Sequence, residues 1–474
     1  MNERIDTDVC VIGAGAGGLS FAAGAVQMGA DVVLLEKGKM GGDCLNYGCV
    51  PSKAFIAAGN AAYDVRASVK FGIEPLTPVV NFEKVRDHVR RVIKEIRPKD
   101  SQERFEKLGV RVIRERGRFS GRRSIVAGDY EIFAKRIVIS TGSTPCVPVI
   151  SGLDKVPFFT NETIFDHKEL IQHLLVIGAG PIGMELAQAY RRLGTNVTVI
   201  EQRNALNLED PELSSIVIEN LRTEGIDIHE NVIIQEITNS DNKIKIQVDQ
   251  DGNKLSFDGT HLLIAAGRKP NIHDLNLEAA GIEIGPAGIP TNARMQTSNK
   301  RVFVVGDAAE GFNFTHLAGY QAGIVIRNVL FRLPAKVDYT AMPRVTFTSP
   351  ELAQVGLTEK TAREKFGNIK VLEANFSDND KARTAHKIEG KLKVITTTRG
   401  SIIGATMVGD RAGEIIQSWC LPISKKLKIK DVCGLILPYP TLGEINKSAA
   451  VKFFSVSLFS KRIKYFVRLL LSLG

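Results

Sequence analysis

The sequence predicts an α/β protein in which one strand, glycine turn and helix unit is used twice and a third, α+β domain follows. The unit is read at Asp8-Val-Cys-Val-Ile-Gly-Ala-Gly-Ala-Gly-Gly and again, roughly 165 residues on, at Leu174-Leu-Val-Ile-Gly-Ala-Gly-Pro-Ile-Gly. Each copy leads to an apolar strand ending in an acid, Val32-Val-Leu-Leu-Glu36 and Val197-Thr-Val-Ile-Glu201, placed eighteen residues after the third glycine. A glycine turn alone is a weak signal, but this complete arrangement is that of two Rossmann-like dinucleotide-binding domains. The length of 474 residues also exceeds what one hydrophobic core usually supports.

In the first unit Gly13, Gly15 and Gly18 would supply the tight turn, the close backbone approach to a pyrophosphate and the close packing of helix on strand. The helix N-terminus then faces the phosphate charge, and Glu36 is expected to accept from ribose hydroxyls. Downstream lies Gly41-Gly-Asp-Cys-Leu-Asn-Tyr-Gly-Cys-Val-Pro-Ser-Lys53. Pro51 suits the first turn of a helix, which puts Cys49 near its N-terminus. The helix dipole and Lys53 both lower a thiol pKa, so Cys44 and Cys49 read as a reversible redox disulfide. The competing readings are two structural cysteines that happen to be close, or a zinc site that lacks a second cysteine pair and a nearby histidine. No metal is expected.

A charge-rich helical stretch at about 82–108 and a strand-like run, Ile137-Val-Ile-Ser-Thr-Gly-Ser143, precede a linker marked by Pro145, Pro148 and Gly152. A boundary near residue 150 follows. The second unit repeats the phosphate-loop argument with Gly178, Gly180 and Gly183, and Glu201 favours the free 2'-hydroxyl of NAD, hence NADH over NADPH. Arg203 would soften that preference if it met a 2'-phosphate; its plainer reading is an exposed loop charge. This unit closes with Leu262-Leu-Ile-Ala-Ala-Gly-Arg-Lys-Pro270, and Val302-Phe-Val-Val-Gly-Asp307 adds another buried strand. Beyond about 340, strands and helices continue without glycine fingerprints. At the end, Phe459, Ile463, Phe466, Val467 and Leu470 fall on one helical face opposite Lys461, Lys464 and Arg468, which makes a basic amphipathic helix.

Bulk properties exclude several classes. There are 62 Lys+Arg against 52 Asp+Glu, a formal +10 that is modest for this length and gives no nucleic-acid signature. The six cysteines show no framework spacing beyond the one pair, as in a reducing compartment. The N-terminus lacks a signal-peptide layout, and the apolar C-terminal segment is broken by charges too often to span a bilayer. A cytoplasmic protein is expected, with the terminal helix either lying peripherally on a membrane or packing on a dimer.

The ordered motifs GAGAGG, GGDCLNYGCVPSK, STG, GAGPIGMELA, AAGRKPN and VVGDAAEG resemble the class I pyridine nucleotide-disulfide oxidoreductases over nearly the whole chain. That family includes dihydrolipoamide dehydrogenase, glutathione reductase and mercuric reductase. The resemblance implies FAD and NAD as cofactors and a homodimer. It divides the chain into an FAD-binding domain at 1–150 and 273–338, an NAD(P)-binding domain at 151–272, a dimerisation domain at 339–450 and the amphipathic helix at 451–474. It makes Cys44 the thiol that attacks substrate and Cys49 the thiol against the flavin. It pairs Lys53 with Glu185 beside the flavin. It sets Gly117, Thr141 and Gly142 against FAD, Asp307 on its ribityl chain and Gly267 at the border of the NAD site.

One motif departs from the family. Relatives that act on small dithiols have a C-terminal His-Pro-Thr-x-x-Glu whose histidine is the acid-base catalyst across the dimer; here it is Tyr439-Pro-Thr-Leu-Gly-Glu444, and the last histidine is His386. A phenol titrates near 10 and is a poor base at neutral pH, where a positioned acid-base group contributes roughly 100- to 10,000-fold. Tyr439 and Glu444 remain the candidates at that place. Mercuric reductases resemble this chain in having Tyr there, but they add a C-terminal cysteine pair, and none follows Cys433. Asp43, where relatives often have Thr, adds a negative charge beside the redox pair. The expected acceptor is a small-molecule or protein disulfide, a metal ion or a quinone-like electrophile. The alternatives are a dihydrolipoamide dehydrogenase of 2-oxoacid complexes and a flavin-loaded redox sensor or scaffold with weak turnover.

Overall fold

The computed structural model describes residues 3–74, 76–240 and 243–473. The first sheet is centred on strand Glu3–Ile12, whose last four residues are all buried. Such a continuous apolar run is what a parallel strand covered on both faces requires. Across the sheet the order is Arg111–Ile113, Val32–Leu35, Glu3–Ile12, Tyr130–Ile139, Ser124–Ala127 and Arg118–Phe119. The first four run parallel; the last two return antiparallel. Val302–Val304 pairs in parallel with Tyr130–Ile139 through Val302 and Ile137, so a late segment of the chain returns to the first sheet. Helix Thr315–Val329 comes next and packs on helix Ala16–Gln27, where Gly24 makes room for Ile326.

The second sheet is four parallel strands in the order Asp227–His229, Asn196–Ile200, His173–Ile177 and His261–Ile264. An antiparallel three-stranded sheet formed by Ile233–Ser240, Lys243–Gln250 and Asn253–Gly259 stands beside it. Between the two nucleotide units runs a short antiparallel pair, Ser143–Pro145 with Arg268–Pro270. The C-terminal domain is an antiparallel sheet in the order Pro343–Thr346, Glu351–Gly356, Ile402–Gly409, Lys391–Thr397 and Ile369–Asn375. Its core holds Trp419, whose indole N–H donates to Asn446 Oδ1 at 2.8 Å.

Buried polar groups fix the domains on one another. Lys393, with a side chain 3% exposed, lies 3.0 Å from Asp210, 2.8 Å from Glu212 and 3.2 Å from Glu359. Gln188 exchanges two hydrogen bonds with the backbone of Ser349, each of 2.7 Å. The helix Pro181–Arg192 is thereby set against the turn after Pro343–Thr346. The end of the chain differs from a single amphipathic helix over 451–474. Helix Glu444–Leu458 stops before Ser460, which caps a separate helix Lys461–Leu471 by accepting from Ile463 N. A serine hydroxyl satisfies an orphan N–H there and starts a new helix. No residue of the second helix is buried, and among the described residues no helix is long and apolar enough to cross a membrane.

Candidate active site

The redox turn is held by its own backbone. Gly41 N donates to Ala14 O at 2.9 Å, which lays the turn on the first glycine loop. Gly41 sits at φ 87, a left-handed conformation that glycine adopts at no steric cost. A short helix Gly42–Asn46 comes next, and Tyr47 N and Gly48 N both donate to Asp43 O. Helix Cys49–Ala67 begins at Cys49 itself, with no side-chain cap. The positive end of the helix dipole therefore lies at Cys49.

Cys44 and Cys49 are free thiols that share a hydrogen bond. The Cys49 thiol is pushed down to about 6 by that bond first, against partial burial, and then by the Thr315 hydroxyl and the Lys53 charge; the Asp43 carboxylate opposes. Cys44 is pushed far up by the same bond and by burial. The helix terminus, Lys53 and the Thr315 hydroxyl, at 3.3 Å from its sulfur, all favour the charged form of Cys49.

One turn along, Lys53 Nζ meets Glu185 Oε2 at 2.8 Å, and Glu185 is 6% exposed. The other carboxylate oxygen accepts from Phe347 N at 2.8 Å, and the Phe347 ring lies under Lys53 with the ammonium 4.5 Å from its centroid. Glu185 stands in the second turn of Pro181–Arg192, so it is no first-turn acid on a helix dipole but a buried partner for a cation. No sequence pattern points to Thr315 or Phe347. Neither type of residue signals chemistry, and both reach the site only because the third segment folds back.

Both glycine loops fit a dinucleotide. Gly13 and Gly178 have φ of 105 and 108, and a Cβ at either would lie 2.5 Å from a carbonyl oxygen, of Ser140 or of Ala265. At Gly15 a Cβ would meet only Gly42 Cα, at 3.9 Å, and at Gly180 nothing within 4 Å. The helices Ala16–Gln27 and Pro181–Arg192 start there without side-chain caps, leaving N–H groups free for phosphate oxygens. Gly18 and Gly183 close their turns against Gly13 and Gly178 O. Glu36 and Glu201 each spend one carboxylate oxygen on the loop itself, accepting from Ala14 N at 2.7 Å and Ala179 N at 2.8 Å. Gly38 N and Arg203 N bond the other oxygen, and the Arg203 side chain is exposed.

Asp307 is largely buried, which raises its carboxyl pKa, and it accepts from Ser143 Oγ at 2.6 Å. A buried acid of this kind fits the hydroxyls of a ribityl chain. Gly142 and Gly267 have φ of 67 and 111 with nothing within 4 Å of a Cβ, and Thr141 Oγ1 donates to Asn271 O. Gly117 has a packing reason of its own, since a Cβ there would lie 2.5 Å from Leu35.

Tyr439 and Glu444 are not joined to the cysteines within the chain. Tyr439, 71% exposed, donates its hydroxyl to Asp380 Oδ2 at 2.9 Å, which raises the phenol pKa further. Glu444 opens helix Glu444–Leu458 and accepts from Thr441 N at 3.2 Å. His316 is bonded to Pro343 O. Among the described residues no group of three or more His, Cys, Asp or Glu could hold a metal ion.

Residues 7–322 match the pyridine nucleotide-disulphide oxidoreductase family and residues 342–450 its dimerisation domain, which supports a homodimer. A mercuric reductase of Staphylococcus aureus is 33% identical over 455 residues, which span 95% of this chain and 83% of the relative. A dihydrolipoyl dehydrogenase of Bacillus subtilis (strain 168) is 31% identical over 453 residues, 92% of this chain and 96% of the relative. The HOCl-induced flavoprotein disulfide reductase RclA from Escherichia coli, solved as its Cu(II) complex, superposes with a TM-score of 0.84 at 25% identity, covering 96% of this chain and all of the other. A cysteine pair at a helix start thus lies on the first of two nucleotide loops, and the chain belongs to the pyridine nucleotide-disulphide oxidoreductases, FAD-dependent enzymes that use NAD(P)H.

Proposed function

We propose that this enzyme reduces an external electrophile through Cys44, with NADH as the preferred electron source. The observation that carries the reading is the placing of Cys49 at the start of helix Cys49–Ala67, five residues after Cys44, with Thr315 Oγ1 at 3.3 Å and the Lys53–Glu185 pair one turn along. When bound, FAD supplies the two-electron carrier between the nicotinamide and the cysteines. Gly13, Gly15, Gly18, Glu36, Gly117, Thr141, Gly142 and Asp307 would hold it. Gly178, Gly180, Gly183, Glu201 and Gly267 would hold the dinucleotide. Lys53, fixed by Glu185, keeps a positive charge beside Cys49.

With a disulfide acceptor, Cys44 loses its proton and attacks one sulfur, expelling the other as a thiolate and leaving a mixed disulfide. Cys49 then attacks Cys44 Sγ, expels the second thiolate and restores the internal disulfide. Two electrons leave the pair, and each expelled thiolate takes up one proton. A metal ion or quinone-like acceptor draws the same two electrons.

The test is anaerobic titration with NADH, NADPH and candidate acceptors, for wild type and Cys44→Ser. Uptake of only two electrons by wild type, with no long-wavelength thiolate-flavin absorbance, defeats the relay. Turnover with no acceptor leaves the sensor reading. Dihydrolipoamide is disfavoured because Tyr439 donates its hydroxyl hydrogen bond to Asp380, which holds the phenol protonated and makes it a poor base; Tyr439→His should raise its oxidation by roughly 10²–10⁴-fold.

The cytoplasmic expectation extends to a membrane surface. We infer that helix Lys461–Leu471 lies on anionic lipid, supported by Lys461, Arg462, Lys464 and Arg468 with no acid among them and by exposed Ile463, Phe466, Val467 and Leu470. Flotation with vesicles that contain anionic lipid should carry the full chain but not one ending at 459. Absence of binding to those vesicles returns the helix to a dimer contact.

A further inference from the structure

Asp43 is built into the turn that carries both cysteines, because its carbonyl accepts from Tyr47 N at 2.8 Å and from Gly48 N at 2.7 Å. Its carboxylate does not simply face water. Oδ1 lies 3.2 Å from Arg268 Nη2 and accepts from Asn161 Nδ2 at 3.4 Å. Arg268, 15% exposed, is fully engaged: Nε donates to Ser143 Oγ at 2.8 Å, Nη2 to Ser143 O at 2.9 Å and Nη1 to Asn161 Oδ1 at 3.4 Å. Ser143 Oγ in turn donates to Asp307 Oδ2. One guanidinium therefore stands between two carboxylates, one on the redox turn and one placed for the flavin. It comes from the residue after the bare Gly267, at the edge of the second nucleotide unit.

We propose that Arg268 is a positioning residue that holds the Asp43 charge and thereby tunes the ionisation of Cys49, so that the contact between the nucleotide unit and the redox turn adjusts thiolate reactivity. The physical reason is charge balance at short range. A nearby carboxylate disfavours a thiolate, and a bidentate-capable guanidinium on that carboxylate cancels much of the effect. The other groups facing Cys49 are the Cys44 thiol, the Thr315 hydroxyl and Lys53 with its partner Glu185. None of these touches Arg268, so their contributions persist when the pair is altered. This rests on the cysteine pair being the redox centre.

The test uses the flavin-loaded enzyme, reduced anaerobically, with thiolate absorbance and alkylation mapped to Cys49 both followed against pH. Asp43→Asn should lower the midpoint and Arg268→Met should raise it, each by about 0.5 to 1 pH unit, and Arg268→Lys should recover part of the loss. In the Asp43→Asn background, Arg268→Met should shift the midpoint less than it does alone. Midpoints that stay at the wild-type value, or that move in the same direction in both variants, overturn the inference. Should Arg268→Met lose its flavin, Asp43→Asn and Arg268→Lys still decide the matter. Counting thiols separates the two failures: no gain of two thiols on reduction sinks the redox reading, whereas two thiols with unmoved midpoints sink only the latch.

Discussion

At the first glycine loop Glu36 braces Ala14 N, and at the second Glu201 braces Ala179 N, within 0.1 Å of the same distance. The two loops share their left-handed first glycine, their uncapped helix start and their close-packed third glycine. They differ in what lies over them. The first loop is covered by the redox turn, through Gly41 N to Ala14 O and through Gly42 packed on Gly15. A Cβ at Gly180 would meet nothing within 4 Å, and Ala179 O accepts from Leu206 N rather than from a redox turn. The second unit is instead tied down from behind, where Asp210 and Glu212 hold Lys393 of the C-terminal sheet. One motif therefore makes two kinds of site: a covered loop suits a dinucleotide that stays, and an open one suits a dinucleotide that comes and goes.

The largest expected effect tests that difference directly. Gly15→Val should purify without flavin, since its side chain would enter the space between the loop and the redox turn. Gly180→Val should keep its flavin and raise the KM for NAD(P)H. Equal flavin loss in both would remove the distinction. Next comes the rear anchor of the second unit. Lys393→Met leaves Asp210, Glu212 and Glu359 without their shared cation and should cost about 3–5 kcal/mol in denaturant unfolding. An effect below about 1 kcal/mol would make the cluster dispensable.

The same cluster gives a pH dependence. Lys391 and Lys393 hold the Glu212 carboxyl at about 2, below its ordinary 4.5, so its contribution is complete above pH 4.5 and is lost as pH falls toward 2. Acid unfolding should therefore begin earlier in Glu212→Gln. A smaller effect separates the two bracing acids. Glu201→Ala should narrow the preference for NADH over NADPH by about tenfold, the worth of one charge-assisted hydrogen bond. Glu36→Ala should instead weaken flavin retention and leave the nucleotide preference alone. Finally, alkylation of Cys49 in the reduced enzyme should rise through a midpoint near pH 6; a midpoint at 8 or above would mean that the helix terminus and Lys53 do not act on it.

Much of the site was readable in the chain because its chemistry is carried by short, local signals. Glycine spacing dictates a turn wherever it occurs, and Cys49 two residues before Pro51 announces a helix start. The acids at the ends of the second strands were also legible, although their bracing of the loop backbone was not, since a carboxylate accepts equally well from a sugar hydroxyl or an amide. Thr315, Phe347 and Arg268 carry no such signal. A threonine, a phenylalanine and an arginine are ordinary anywhere, and each matters here only for the atom that faces it. The terminal helix was legible in part: periodicity gave the apolar face found in Lys461–Leu471 but not the break at Ser460, where a side-chain cap interrupts an otherwise continuous pattern.

By itself the sequence determined the two nucleotide loops, the cysteine pair and the missing histidine at Tyr439, because each depends on residue type within a few positions. The tertiary structure alone decided that Thr315 meets Cys49, that Glu185 is buried under Lys53 and Phe347, and that Asp43 is held by Arg268. Those outcomes depend on burial and on distances of about 3 Å between segments far apart in the chain, where electrostatic and hydrogen-bond energies change steeply and sequence spacing says nothing.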